Sequence, residues 1–313
     1  MKINQHVYNF INMQNRNLPL IALITLSFPE SFIRAIYNHN NGRHHWNGKK
    51  ACITISFDCD YPEDVEAIPS ILKVLSKYPF KASFACVGLW IEKYPKEHAM
   101  ILEQGHEIIN HTYSHPDNEL LNPGQKFRSL ERLNKLAEVE KCHEICLKFL
   151  NYEPKGCRIP HFKNLFTQEI YGILKELNYK YSSSTWLTNT KTFGLPFFAD
   201  KGILEFPLST CPLHPFTVFD TWHSLNTERW IHRLIHRGPD DYCSLFEKLL
   251  MIGKETGSYL NVYIDPLDVK KIPQFESLLD RLVVQDDFWV ATYEELLGYF
   301  QMTHDPREIA CPK

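Results

Sequence analysis

An α/β fold, with a mostly parallel sheet or barrel and helices outside it, is the architecture this sequence predicts, and three observations predict it. Strand-like and helix-like runs alternate from Ala51 onward, a pattern that belongs to βαβ units. With 313 residues, 44% of them hydrophobic, the chain can bury a large core in one such domain. Clusters of Asp and His also stand directly after strand-like runs, and in folds of this class the chemistry gathers at the carboxyl ends of the strands.

The elements follow in order. After the polar, turn-rich NHNNGRHHWNGKK (Asn38 to Lys50), ACITISF reads as a strand and VEAIPSILKVLSKY as a helix, its apolar residues recurring at three and four. KASFACV is a second strand, HAMILEQGH a helix closing on glycine, and EIIN a short strand. Phe127 to Leu150 is the strongest helical stretch. Next come KGCRIPHF, a helix from Thr167 to Leu177, YKYSSST, and ILEFPLS after a loop punctuated by proline and glycine. A helix around Tyr242 to Thr256 precedes SYLNVYIDPLDV, and FWVATYEELLGYF finishes the pattern. No internal repeat or low-complexity tract interrupts it.

A formal charge of −3 carries no basic excess and argues against nucleic acid as an obligate partner. The nine cysteines are scattered without a CxxC pair, which fits reduced, buried thiols of a cytoplasmic protein rather than a disulfide framework. Cys142 and Cys146 stand four apart, but no second pair accompanies them as a structural zinc site would require. LPLIALITLSF (Leu18 to Phe28) is an apolar run of eleven residues, too short to span a bilayer. Three readings stay open for it and the amphipathic stretch that follows: a packing helix, a peripheral membrane contact through residues 18–37, or a cleaved signal.

The chemistry begins in ITISFDCDYPED (Ile53 to Asp64). A strand alternates its side chains, so Asp58 and Asp60 point one way and Cys59 the other. Two adjacent carboxylates repel unless one takes a proton or a cation sits between them. The segment GHEIINHTYSHPD supplies candidate ligands for that cation. His111 and His115, four apart, would face the same side of a helical or near-helical turn, about 5–6 Å between Cβ atoms. With Asp60 they form a two-His, one-carboxylate set that leaves positions open for water and substrate, as catalytic metals require. Asp58, beside such a metal, is placed to take a proton from attacking water. Each motif alone also has an ordinary reading, Asp-x-Asp as a turn or cap and His-x3-His as an incidental pair.

This combination resembles the polysaccharide deacetylase family, the NodB-type carbohydrate esterases. Its first motif matches Ser56-Phe57-Asp58-Cys59-Asp60, and its NHTxxH motif matches Asn110-His111-Thr112-Tyr113-Ser114-His115 after Gly105-His106-Glu107; Arg158-Ile159-Pro160 matches its RxP. The resemblance implies a distorted (β/α) barrel of about seven parallel strands over residues 51–300, with residues 1–50 an apolar and amphipathic extension and 301–313 a tail. It implies one divalent metal, Zn2+ by expectation, on Asp60, His111 and His115, with Asp58 as base and Arg158 holding it ionised. The backbone N–H of His161 would face the oxyanion, and His161 would line the pocket.

The chain departs from the family pattern late in the sequence. Where relatives carry a His-Pro that supplies the general acid, this chain has Asp265-Pro266. An aspartic acid can do that work only if burial or a nearby anion lifts its pKa. Asp265 as the acid, His214 or His223 in its place, or a weakened or inactive site are the readings that follow. Tyr181 to Thr185 and Trp186 fall where the family lines its acyl pocket and stacks on sugar. The expected substrate is an N-acylated amino sugar, lipid- or nucleotide-linked or part of a surface-glycan precursor, processed in the cytoplasm or on the inner membrane face. Deformylation as well as deacetylation, an amidase acting on small non-sugar amides, and a non-catalytic metal- or glycan-binding homologue remain open.

Overall fold

The computed structural model describes residues 27–39, 45–160, 169–187, 192–225, 239–284 and 286–303. Eleven strands lie among them: β1 (Ala51–Cys59), β2 (Ser83–Cys86), β3 (Glu107–Asn110), β4 (Gly156–Cys157), β5 (Tyr181–Ser182), β6 (Phe197–Phe198), β7 (Leu204–Glu205), β8 (Thr210–Cys211), β9 (His214–Val218), β10 (Tyr259–Ile264) and β11 (Phe288–Val290). The main sheet runs β10-β1-β2-β3-β4-β5-β7-β6. The seven strands from β10 to β7 are parallel, and β6 returns antiparallel at the edge. β11 pairs with the start of β1, Ala51 opposite Phe288. The sheet is curled. Beyond β7 the chain turns back to β10, where Ser209 N–H donates to Asn261 O at 2.8 Å and Asn261 Nδ2 donates to Phe206 O at 3.0 Å.

The alternation of β1 divides the molecule into an outer and an inner layer. Ile53, Ile55, Phe57 and Cys59 are fully buried against the helices, and each large apolar side chain among them contributes about 1.5–3 kcal/mol by leaving water. Cys52, Thr54, Ser56 and Asp58 face inward. Thr54 Oγ1 accepts the hydroxyl of Tyr259 at 3.1 Å, and Ser56 Oγ donates to Val262 O. The helix Pro62–Leu75 covers the outer layer with Val65, Ile68, Leu72 and Leu75, one apolar stripe at helical spacing. Gly156 is needed on β4 because a Cβ there would lie 1.8 Å from the ring of Tyr181.

The expected alternation is present in these elements, with the helix foreseen from Phe127 now Arg132–Leu150 behind a 3-10 turn. The antiparallel pair β8–β9 and the helix Phe275–Val284 were not foreseen. Residues 1–26 lie outside the described residues, and so does most of the Leu18 to Phe28 run. The stretch after it forms the helix Pro29–Asn38, whose Ile33, Ile36 and Tyr37 are buried in the main core. Tyr37 donates to Ser209 Oγ at 2.9 Å. Ile33, Ile36 and Tyr37 of this helix thus pack on the domain that begins at β1. Among the described residues no helix is long and apolar enough to cross a membrane.

Candidate active site

Asp58 ends the inward row of β1, and Asp60 follows where the strand gives way to a turn. Three backbone contacts fix Asp60. Its carbonyl accepts Trp90 Nε1 at 2.8 Å and Asn118 Nδ2 at 3.0 Å, and its N–H donates to Asp64 Oδ2 at 3.1 Å.

The two histidines arrive from the loop after β3. This loop is not the helical turn that the spacing suggested: Thr112 and His115 take φ of 62° and 47°, the left-handed region that costs a non-glycine residue of order 1–3 kcal/mol. Side chains hold it there by offering the backbone other partners than a helix. Asn110 Oδ1 accepts Thr112 N–H at 2.9 Å, and Thr112 Oγ1 accepts His115 N–H at 3.2 Å. Glu138, on the helix Arg132–Leu150, accepts the N–H groups of Tyr113 and Ser114 and the hydroxyl of Ser114. The turned backbone still brings the imidazoles together, ring centroids 4.9 Å apart.

Arg158, just past β4, ties the motifs to one another. Its N–H donates to Asn110 O at 2.8 Å, and its carbonyl faces His111 Nδ1 at 2.7 Å. That bond sets the tautomer and turns Nε2 into the site. The guanidinium, fully buried, donates to Asp58 Oδ1, to the hydroxyl of Tyr293, and to the oxygen atoms of Ser183 at 3.1 and 3.2 Å. With Oδ1 occupied, Oδ2 of Asp58 lies 3.9 Å from His111 Nε2.

One ligand atom from each of Asp60, His111 and His115 lies within 4.8 Å of the others. His111 Nε2 is 3.2 Å from Asp60 Oδ1, and His115 Nε2 is 3.4 Å from Asp60 Oδ2. Two imidazole nitrogens aimed at one carboxylate suit a divalent cation of zinc type, so the residues fit the expected metal. Asp58, His111 and His115 are at most 3% exposed, whereas the Asp60 side chain is 20% exposed, so solvent reaches the cluster at Asp60. Burial pushes the Asp58 carboxyl up, with Arg158 and His111 pulling against it. Burial also opposes ionisation of Asp60, but His115 and His111 outweigh it and hold that carboxyl well below its usual range.

Residues 45–182 match the family model described as polysaccharide deacetylase. Over that segment the chain is similar to the family. The chain is 35% identical, over 119 residues, to a peptidoglycan-N-acetylglucosamine deacetylase of Bacillus cereus, covering 38% of this chain and 39% of that one. It is 32% identical over 57 residues to a chitooligosaccharide deacetylase of a Bradyrhizobium species, covering 18% and 26%. The chain thus spans well under half the length of these curated relatives. A Mycobacterium smegmatis structure, provisionally assigned as a polysaccharide deacetylase, superposes with a TM-score of 0.68 over 85% of this chain and 96% of that one, at 16% identity; it supports the fold.

Asp265 lies beyond the segment matched to the deacetylase family. It directly follows β10, the neighbour of β1, and is 7% exposed. Its N–H donates to Thr221 Oγ1 at 2.9 Å, and Thr221 Oγ1 stands 3.4 Å from its Oδ2. Burial, and then the charges of Asp64, Asp60, Asp220 and Asp268, push its carboxyl well above the usual range. Trp186 is fully buried against Leu208, Val218 and Tyr263, so as placed it backs the site instead of offering a face to sugar. Ser184, Thr185 and the Thr185 hydroxyl all donate to Glu205 Oε1. His161 lies outside the described residues, as do the side chains of His214 and His223.

Asn110, Glu138 and Tyr293 position the site yet were absent from the sequence reading as contributors. Asn110 stood in the quoted motif and could have been noticed; Glu138 left no signal, since one carboxylate on a charged helix looks like any other. Replacing Glu138 by Gln is expected to remove one acceptor from the His111–His115 loop and weaken metal uptake roughly 10- to 100-fold, as outer-shell changes do. Titration against a chelator checks it, and parent-like uptake would show that the loop holds without this clamp.

Proposed function

We propose that this chain is a metal-dependent N-deacylase of an N-acylated amino sugar. The observation that carries the reading is the convergence of Asp60, His111 and His115 beside a buried Asp58–Arg158 pair. Asp60, His111 and His115 would hold one divalent cation, zinc by the chemistry of the set. When bound, such an ion polarises the amide carbonyl and lowers the pKa of water beside it. The chain's own residues do the rest. Asp58, oriented through Oδ1 by Arg158, takes the proton of attacking water at Oδ2. Arg158 keeps that carboxylate in one geometry while the reaction proceeds. Asp265, kept neutral by burial and by the carboxylates around it, gives its proton to the departing amine. The N–H of His161 serves the oxyanion on the strength of the family pattern.

Similarity to the deacetylase family over residues 45–182 supports an amino sugar as the substrate, and a lipid- or nucleotide-linked glycan precursor is the finer form of the proposal. The test is acyl release from N-acetylated and N-formylated amino sugars, free and lipid-linked, with cyclic ureides alongside. Release from sugars by the zinc-loaded parent, slowed by about 10²-fold or more in Asp265→Asn and partly recovered in Asp265→His, is the expected result. Because the interaction is made in the transition state, Asp265→Asn should lower kcat with KM nearly unchanged. Turnover of ureides alone would make the chain an amidase of small amides, and no release from any substrate would leave a metal-binding homologue.

A further inference from the structure

We infer that Asp64 is a positioning residue that couples the metal ligand Asp60 to the acid Asp265. This inference rests on the reading of the site given above. Asp64 is 1% exposed and stands in the first turn of the helix Pro62–Leu75. Its Oδ2 accepts two consecutive N–H groups, Asp60 at 3.1 Å and Tyr61 at 2.9 Å. Its Oδ1 accepts Leu267 N–H at 3.0 Å.

Those two legs reach different motifs. One holds the backbone on either side of the Asp60 carbonyl, which Trp90 and Asn118 hold from the other direction. The other holds the first turn of the short helix Pro266–Val269, whose N-cap residue is Asp265. Asp265 is thereby fixed on both flanks, by Thr221 at its own N–H and by Asp64 two residues on. A carboxylate has acceptor capacity for all three bonds, and no neutral side chain of its size offers two such oxygens. A cap alone would need only the bond to Tyr61 N–H, since the N-cap group is what a capping acid satisfies. The bonds to Asp60 and Leu267 serve no helix start of its own and join the ends of β1 and β10, the adjacent strands that carry the base, the metal ligand and the acid.

The experiment compares parent, Asp64→Asn and Asp64→Ala, full length, by zinc affinity without substrate, by thermal melting, and by the pH profile of acyl release. Asp64→Asn keeps the size and one acceptor oxygen, so it serves if Asp64→Ala does not fold. Folded variants are expected to bind zinc roughly 10- to 100-fold more weakly and to shift the basic limb of the profile, which follows the acid. A folded variant with lowered melting temperature but the parent's zinc affinity and pH profile makes Asp64 a helix cap only and overturns the inference. If the parent itself takes up no zinc, the reading of the site falls and this inference falls with it.

Discussion

The His111→Ala/His115→Ala double variant is expected to lose its metal, from about one ion per chain in the parent to near zero, and acyl release with it. Two of the three proposed ligands are gone, and a lone carboxylate does not hold zinc against the buffer. The fold should survive, because the loop that carries these residues is held by Asn110, Thr112 and Glu138 and not by the imidazoles. The contact of His111 Nδ1 with Arg158 O is lost, at a cost of about 1–3 kcal/mol, together with the approaches of both imidazoles to Asp60. Elemental analysis and circular dichroism on the same sample check both halves. Full metal content in the double variant would sink the assignment of these ligands.

Asp58→Asn is expected to keep the metal and lose the rate, by roughly 10²–10⁴-fold for a missing general base. Asp60→Asn should do the reverse and weaken metal binding first. The Asp58 change has a second consequence that follows from burial. It removes the carboxylate that pairs with the fully buried Arg158 guanidinium, and breaking a buried pair from one side costs about 3–5 kcal/mol. The melting temperature should therefore fall in Asp58→Asn, and turnover must be compared at a temperature where both proteins are folded. Equal loss of metal affinity in the Asp58 and Asp60 variants would show that the two carboxylates do not divide the work as stated.

Much of this site was readable beforehand because its parts obey strong local rules. Period-two alternation set Asp58 and Cys59 on opposite faces, and burial of Cys59 in the outer core agrees. EIIN marked β3 to the residue. What could not be read was set by long-range satisfaction of polar groups. Thr112 has no preference for a positive φ; it adopts one because Asn110 and Gly88 take its backbone bonds. The pair β8–β9, a small sheet of its own, lacks a run long enough to show a period. Trp186 reads equally well as a stacking platform or as core, and packing by Leu208, Val218 and Tyr263 decided it. Asp64 sat inside the stretch quoted for its carboxylates, yet nothing local marks which strand end an acid will reach.

The docking of the helix Pro29–Asn38 bears on how the protein is made. This helix is synthesised well before the residues it packs on: Ser209, which Tyr37 meets, comes 172 residues later, and Glu255, a partner of Arg34, comes 221 residues later. At about 5–20 residues per second, the apolar face of Ile33, Ile36 and Tyr37 waits roughly ten to forty seconds for its cover. During that interval the nascent chain presents a sticky amphipathic helix with no home in its own fold. Ribosome profiling of chaperone-bound nascent chains is expected to find occupancy rising soon after Asn38 emerges and ending once the helix Pro239–Thr256 is out.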